Sequence, residues 1–156
     1  MGDLDFLQRA IELSEKSLSE APGGPFGAVI VKDGQIVAEG WNEVTSSNDP
    51  TAHAEVQAIR KAGKLLNNFN LKGTKLYTSC EPCPMCLAAI YWARIDAVIF
   101  ANTRLEAAEI GFDDAYIYDQ LAVEADNRDL NCIHLPQVRA KAVFDAWTKK
   151  SDKTNY

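Results

Sequence analysis

Apolar residues recur at helical spacing near the start of the chain, where Phe6, Leu7, Ala10, Ile11 and Leu18 share one face with Ser14. This predicts a helix from about Leu4 to Ser19, ended by Ala21-Pro-Gly-Gly-Pro25, because proline lacks the amide hydrogen that a helix needs. Two short apolar runs, Ala28 to Lys32 and Gln35 to Glu39, flank Asp33-Gly34, the turn pair that favours a two-residue hairpin. A polar stretch, Thr45 to Pro50, leads to a second helical pattern from about His53 to Leu66, with Val56, Ile59 and Ala62 as its inward stripe. Lys75 to Thr78 reads as a third strand. Pro84 then stands at a helix's first position, and Leu87, Ala89, Ile90 and Ala93 carry that helix to about Arg94.

Ala97 to Ala101 reads as a fourth strand, so strand, helix and strand form a crossover unit whose strands should be parallel. Further on, the pattern predicts a short helix at Leu105 to Glu109, a loop at Gly111 to Asp114, a strand at Cys132 to Leu135 and a closing helix at Ala140 to Lys149. The expected fold is α/β in three layers, with a mixed, about five-stranded sheet between helices. No repeat or linker marks a boundary, so residues 1–156 read as one domain.

Composition narrows the function. The chain of 156 residues carries a net charge of -6. A field of that sign repels phosphate backbones, and the lysine and arginine clusters at Arg60, Lys61 and Lys64 and at Lys149, Lys150 and Lys153 read as solvated faces. A small uncharged substrate fits better than a nucleic acid. No secretion signal or membrane span is visible, which predicts a cytoplasmic protein. In a reducing compartment, Cys80, Cys83 and Cys86 at intervals of three suggest metal binding rather than disulfides, while Cys132 stands apart.

The chemistry concentrates in Thr51-Ala-His-Ala-Glu55 and Pro82-Cys-Pro-Met-Cys86. His53, Cys83 and Cys86 supply three zinc ligands, leaving one vertex for water, and Glu55 is the candidate base beside it. Cys83 and Cys86 straddle a helix start, where unpaired amides and the helix dipole favour thiolates. His53 and Glu55 point apart on an ideal helix, so they converge only if His53 lies in the irregular entry and Glu55 in the first turn. Two alternatives stay open: Cys80 as a fourth ligand, which would make the zinc purely structural, and Glu55 as a dipole-favoured helix acid. The first would describe a non-catalytic zinc module.

An H-x-E followed by P-C-x-x-C is the signature of zinc deaminases. With Gly23 to Ala28, Asn48 to Val56, Tyr77 to Cys86, Ile90 to Arg94 and Gly111 to Asp114 added, the chain resembles the cytidine deaminase-like superfamily. Within it, the chain is similar to the small bacterial guanine deaminases. The resemblance implies hydrolysis of guanine to xanthine and ammonia, with zinc activating water and Glu55 shuttling its proton. It implies that Asn42 reads the purine edge, that the backbone N–H of Ala54 donates to the ring carbonyl, and that Phe26 and Trp92 form the walls of the base site. It also implies that Asp114 is a second proton-handling carboxylate and that Tyr156 closes the site mouth. A homodimer exchanging the segment 140–156 is implied too. Cytosine and adenosine in tRNA are the alternative substrates of the same build.

Overall fold

The Asp33-Gly34 pair takes positive φ at both residues, 50° and 74°, the geometry of a primed two-residue turn. It joins β1 (Gly27–Lys32) to β2 (Gln35–Trp41) as an antiparallel hairpin with one irregularity between Ile30 and Val31. The computed structural model describes residues 1–19 and 23–156, so Ala21 and Pro22 of the expected helix break lie outside it. β3 (Thr74–Cys80) lies antiparallel to β1, and β4 (Ala97–Asn102) lies parallel to β3. The sheet is therefore mixed and four-stranded, in the order β2-β1-β3-β4.

Alternation along β1 sorts the core into two halves. Val29 and Val31 face α1 (Asp3–Ser19), packing with Phe6, Leu13 and Tyr77. Ala28 and Ile30 face the other way, toward α3 (Ala54–Leu65) and α4 (Pro84–Trp92), where Ala54, Ala58, Ala62, Leu76 and Ile90 complete the cluster. Helices thus cover both faces of the sheet, as a strand buried on both sides requires. Arg9 of α1 also grips Glu39 of β2 with two hydrogen bonds, of 2.8 and 2.9 Å, a half-exposed pair worth at most about 1 kcal/mol.

A close approach fixes the start of α3. A Cβ on Gly40 would stand 2.2 Å from the carbonyl oxygen of Ala54, in the helix's first turn. Gly40→Ala is expected to cost about 1–3 kcal/mol or more through overpacking. Because that turn flanks His53, the variant should also lose zinc occupancy, which thermal unfolding and metal analysis would check together.

Two expectations are corrected. The run Cys132 to Leu135 is not a strand: residues 129–137 hold no regular structure and are all exposed, and no sheet edge pairs them. A short apolar run becomes a strand only when a neighbour accepts its backbone hydrogen bonds, so the sheet has four strands rather than about five. The pattern also missed α6 (Ala115–Ala122), which Tyr116, Ile117 and Tyr118 disguise with residues of modest helix propensity. The polar stretch holds a short helix, α2 (Val44–Ser47), and α5 (Arg104–Glu109) and α7 (Val138–Lys149) fall close to their expected places.

The chain divides into two compact units, Met1–Tyr116 and Ile117–Tyr156. The first contains the whole sheet and both cores. The second contains the end of α6, a 3₁₀ turn at Ala125–Asn127 and α7, and none of its residues is buried. Among the described residues no helix is long and apolar enough to cross a membrane.

Candidate metal centre

His53 and Cys83 each sit at the N-cap of a helix with extended backbone, φ −70° and ψ 155° for His53 and φ −66° and ψ 169° for Cys83. Neither cap is closed by a side-chain hydrogen bond, so both side chains are available for other work. Cys86 lies one turn into α4 and Glu55 in the first turn of α3, which is the convergence that the one-residue spacing of His53 and Glu55 demands.

The ligand atoms of His53, Cys83 and Cys86 lie within 4.8 Å of one another. His53 Nδ1 is 3.5 Å from each of the two sulfurs. A tetrahedral zinc, at about 2.3 Å from sulfur and 2.0–2.1 Å from nitrogen, would set these donors about 3.5–3.6 Å apart. The residues therefore fit the ion, with Nδ1 as the histidine's ligating atom. Cys80 is not part of the cluster: its buried thiol donates to the carbonyl of Thr103 at 3.8 Å, and burial pushes its pKa up to about 11. A protonated thiol directed elsewhere leaves the centre with three protein ligands.

Electrostatics separate the two ligand sulfurs. The Cys86 thiol donates to Cys83 and, with His53 also contributing, holds Cys83 down at about 4 against the cost of burial. Cys86 is pushed well above the ordinary thiol range by that same bond and by burial. In the metal-free chain the pair is thereby biased toward a thiolate at Cys83 and a thiol at Cys86. Zinc needs both sulfurs ionised, so binding should release at least one proton per ion between pH 6 and 8, and affinity should fall as pH is lowered. Calorimetry in buffers of different ionisation enthalpy checks this, and an enthalpy independent of buffer would contradict it.

Glu55 is 6% exposed and its Oε1 accepts a hydrogen bond from Thr78 Oγ1 at 3.3 Å. Burial raises its pKa above the ordinary carboxylate value. Thr78 is the contributor that sequence reading missed. Its signal was present, since it stands two residues beyond Leu76 on the face of β3 that meets α3, a place where a hydroxyl is buried only with a partner.

The other expected site residues divide into two groups. Asn42 is buried just past β2, where its Oδ1 accepts from the N–H of Val44 at 3.2 Å and its own N–H donates to the carbonyl of Phe26 at 3.2 Å. Ala54 is fully buried as the first residue of α3, a position whose N–H a helix leaves unpaired. Phe26 is half-buried and meets Phe112 edge-on. Asp114 is half-buried and close enough to Cys80 and Cys83 to act on both, and burial, reinforced by the Cys83 charge, raises its pKa. Trp92 is not brought near: it ends α4, about 12 Å along the axis from Pro84, and is 60% exposed. Tyr156 belongs to the second unit.

The chain is 52% identical to a guanine deaminase of Bacillus subtilis over 151 residues, 97% of each chain. An X-ray structure of guanine deaminase from that organism superposes with a TM-score of 0.97 at 51% identity, covering 100% of this chain and 99% of the other. A tRNA-specific adenosine deaminase of Haemophilus influenzae is 40% identical over 119 residues, 72% of this chain and 68% of its own length. The model of the cytidine and deoxycytidylate deaminase zinc-binding region matches residues 2–102, the stretch that contains the four strands and both ligand-bearing helix starts. The zinc ligands of this chain sit in that shared frame, and the chain belongs to the cytidine and deoxycytidylate deaminase zinc-binding family.

Proposed function

We propose that the chain hydrolyses guanine to xanthine and ammonia. The observation that carries this reading is 52% identity to a guanine deaminase across 97% of each chain, well beyond the residues 2–102 shared with the wider family. In the reaction, water oxygen bonds to the ring carbon bearing the exocyclic amine, and the carbon–nitrogen bond then breaks. Zinc, held by His53, Cys83 and Cys86, would supply the Lewis acidity that activates water for this attack.

Glu55 takes the proton from that water and returns it to a ring nitrogen, a task suited to a carboxylate whose pKa burial has raised. Asp114 passes a proton to the departing amine. Asn42 reads the purine edge: with Oδ1 held by Val44, its amide hydrogens stay directed by that bond. The Ala54 N–H meets the ring carbonyl, and Phe26 supplies apolar surface for the base.

Support for a homodimer comes from the second unit. Val138 and Phe144 of α7 are 88% and 78% exposed, and a segment this short without a buried side chain lacks a core of its own. Exchange of 140–156 between two chains would cover Phe144 and carry Tyr156 to the partner's site. A cytoplasmic location suits thiolate ligands.

Ammonia release from guanine, adenine, cytosine and tRNA tests the substrate. Turnover of guanine alone is expected, and activity on cytosine or tRNA without guanine would overturn the proposal. Sedimentation would test the dimer.

A further inference from the structure

We infer that Phe112 is a positioning residue for this reaction, its ring clamping the segment that carries Asp114 onto the segment that carries Phe26. The inference rests on the guanine deaminase reading, in which Asp114 handles protons and Phe26 lies against the base.

The contact is specific. The rings of Phe26 and Phe112 meet with centroids 4.9 Å apart at 87°, the edge-to-face arrangement that aromatic quadrupoles favour. The backbone on both sides is built for it. At the end of α5, Gly111 takes φ 95°, its N–H donates to Ala108 and that of Phe112 to Ala107, both at 3.0 Å. This pair of bonds is a Schellman ending, which requires a left-handed residue and turns the next side chain sharply away from the helix axis. Phe112 is that next residue, and the turn delivers its ring to Phe26.

On the other side, Gly24 keeps the space open. A Cβ there would stand 2.9 Å from the Phe26 ring and 3.2 Å from Phe112 Cζ. Asp114 is then held twice: by the aromatic clasp two residues before it, and by the turn that spans it, in which Asp113 Oδ1 accepts the N–H of Ala115 at 2.9 Å as α6 begins. Loop residues hold a carboxylate in place only when their neighbours are anchored, and the Phe112 ring supplies such an anchor.

The test compares Phe112→Ala, Phe112→Leu and Phe112→Tyr. Phe112→Ala and Phe112→Leu are expected to lower kcat/KM for guanine about tenfold, the scale of one lost aromatic pair, with about one zinc retained per chain. Phe112→Tyr keeps the ring and should stay within about twofold of the parent. In an Asp114→Asn background the kcat part of the Phe112→Leu loss should vanish, since its effect passes through Asp114, while the KM part remains. Equal behaviour of the Leu and Tyr variants would show that only volume matters, and an undiminished kcat loss in the Asp114→Asn background would overturn the coupling.

Amide hydrogen exchange provides a readout that does not need guanine turnover. Residues 24–28 and 111–116 should exchange faster in Phe112→Leu than in the parent and Phe112→Tyr. Unchanged exchange would sink the clasp even if the enzyme deaminates guanine, and faster exchange in a protein inactive on guanine would sink the substrate reading instead. If Phe112→Ala does not fold, the Leu and Tyr pair decides alone.

Discussion

Glu55→Gln should lower kcat for guanine by about three to four orders of magnitude while leaving about one zinc per chain, the upper range for removing a general acid–base. Glutamine matches the shape of glutamate and can still accept from Thr78, whose Oγ1 lies 3.3 Å from the carboxylate, but it cannot take up a proton. The ligand cluster does not include Glu55, so metal content and catalysis should separate. Steady-state rates beside elemental analysis decide the matter. A variant that keeps more than a few per cent of the parent rate would remove Glu55 from the mechanism.

The same substitution carries a stability signature. A buried carboxyl whose folded pKa is raised is disfavoured whenever the unfolded chain would ionise it, so in the metal-free protein Glu55 costs stability increasingly as pH rises above its ordinary value of 4.5. Glu55→Gln should therefore leave Tm nearly unchanged near pH 4 and raise it near pH 8. A function bought with stability is expected where an ionisable group is forced into a dry site.

Loss of a ligand is the second large effect. Cys83→Ser or His53→Ala should reduce zinc from about one equivalent to near zero after mild chelation and abolish turnover, because three ligands leave no redundancy. The affinity loss should exceed the roughly 10–100-fold typical of changes outside the coordinating residues. Cys80→Ala is the control. Its thiol points at Thr103 and is held protonated, so that variant should keep its zinc. If Cys80→Ala also lost the ion, the centre would be a closed four-ligand site and hydrolysis would need another explanation.

Most of the frame was legible because its signals are local. The Asp33-Gly34 turn, the proline opening α4 and the periodicity of α1 and α3 each act within a few residues, and each element appears within about two residues of its expected ends. The Cys132 to Leu135 run failed for the opposite reason, since a strand exists only with a partner that the run itself does not encode. Cys80 shows the same limit at the site. Three cysteines at equal intervals look alike in the chain, yet Cys80 ends β3 while Cys83 and Cys86 flank a helix start, and only the second setting turns sulfurs toward His53. Trp92 fits a base-site wall by resemblance, but its place at the far end of α4 sets it apart from the cluster within one chain.

The sequence alone determined the chemical inventory, namely an imidazole, two thiols and an acid at spacings that two helix starts can bring together, since helix geometry fixes what residues a few positions apart can do. Tertiary structure decided which groups surround that inventory. Packing of α3 and α4 on one sheet face brought the ligands within 4.8 Å of one another, set Thr78 against Glu55 and kept Cys80 out, while the turn ending α5 placed Phe112 against Phe26. Those contacts join residues 23 to 86 positions apart, and their energies depend on burial and close packing that no short stretch of chain specifies.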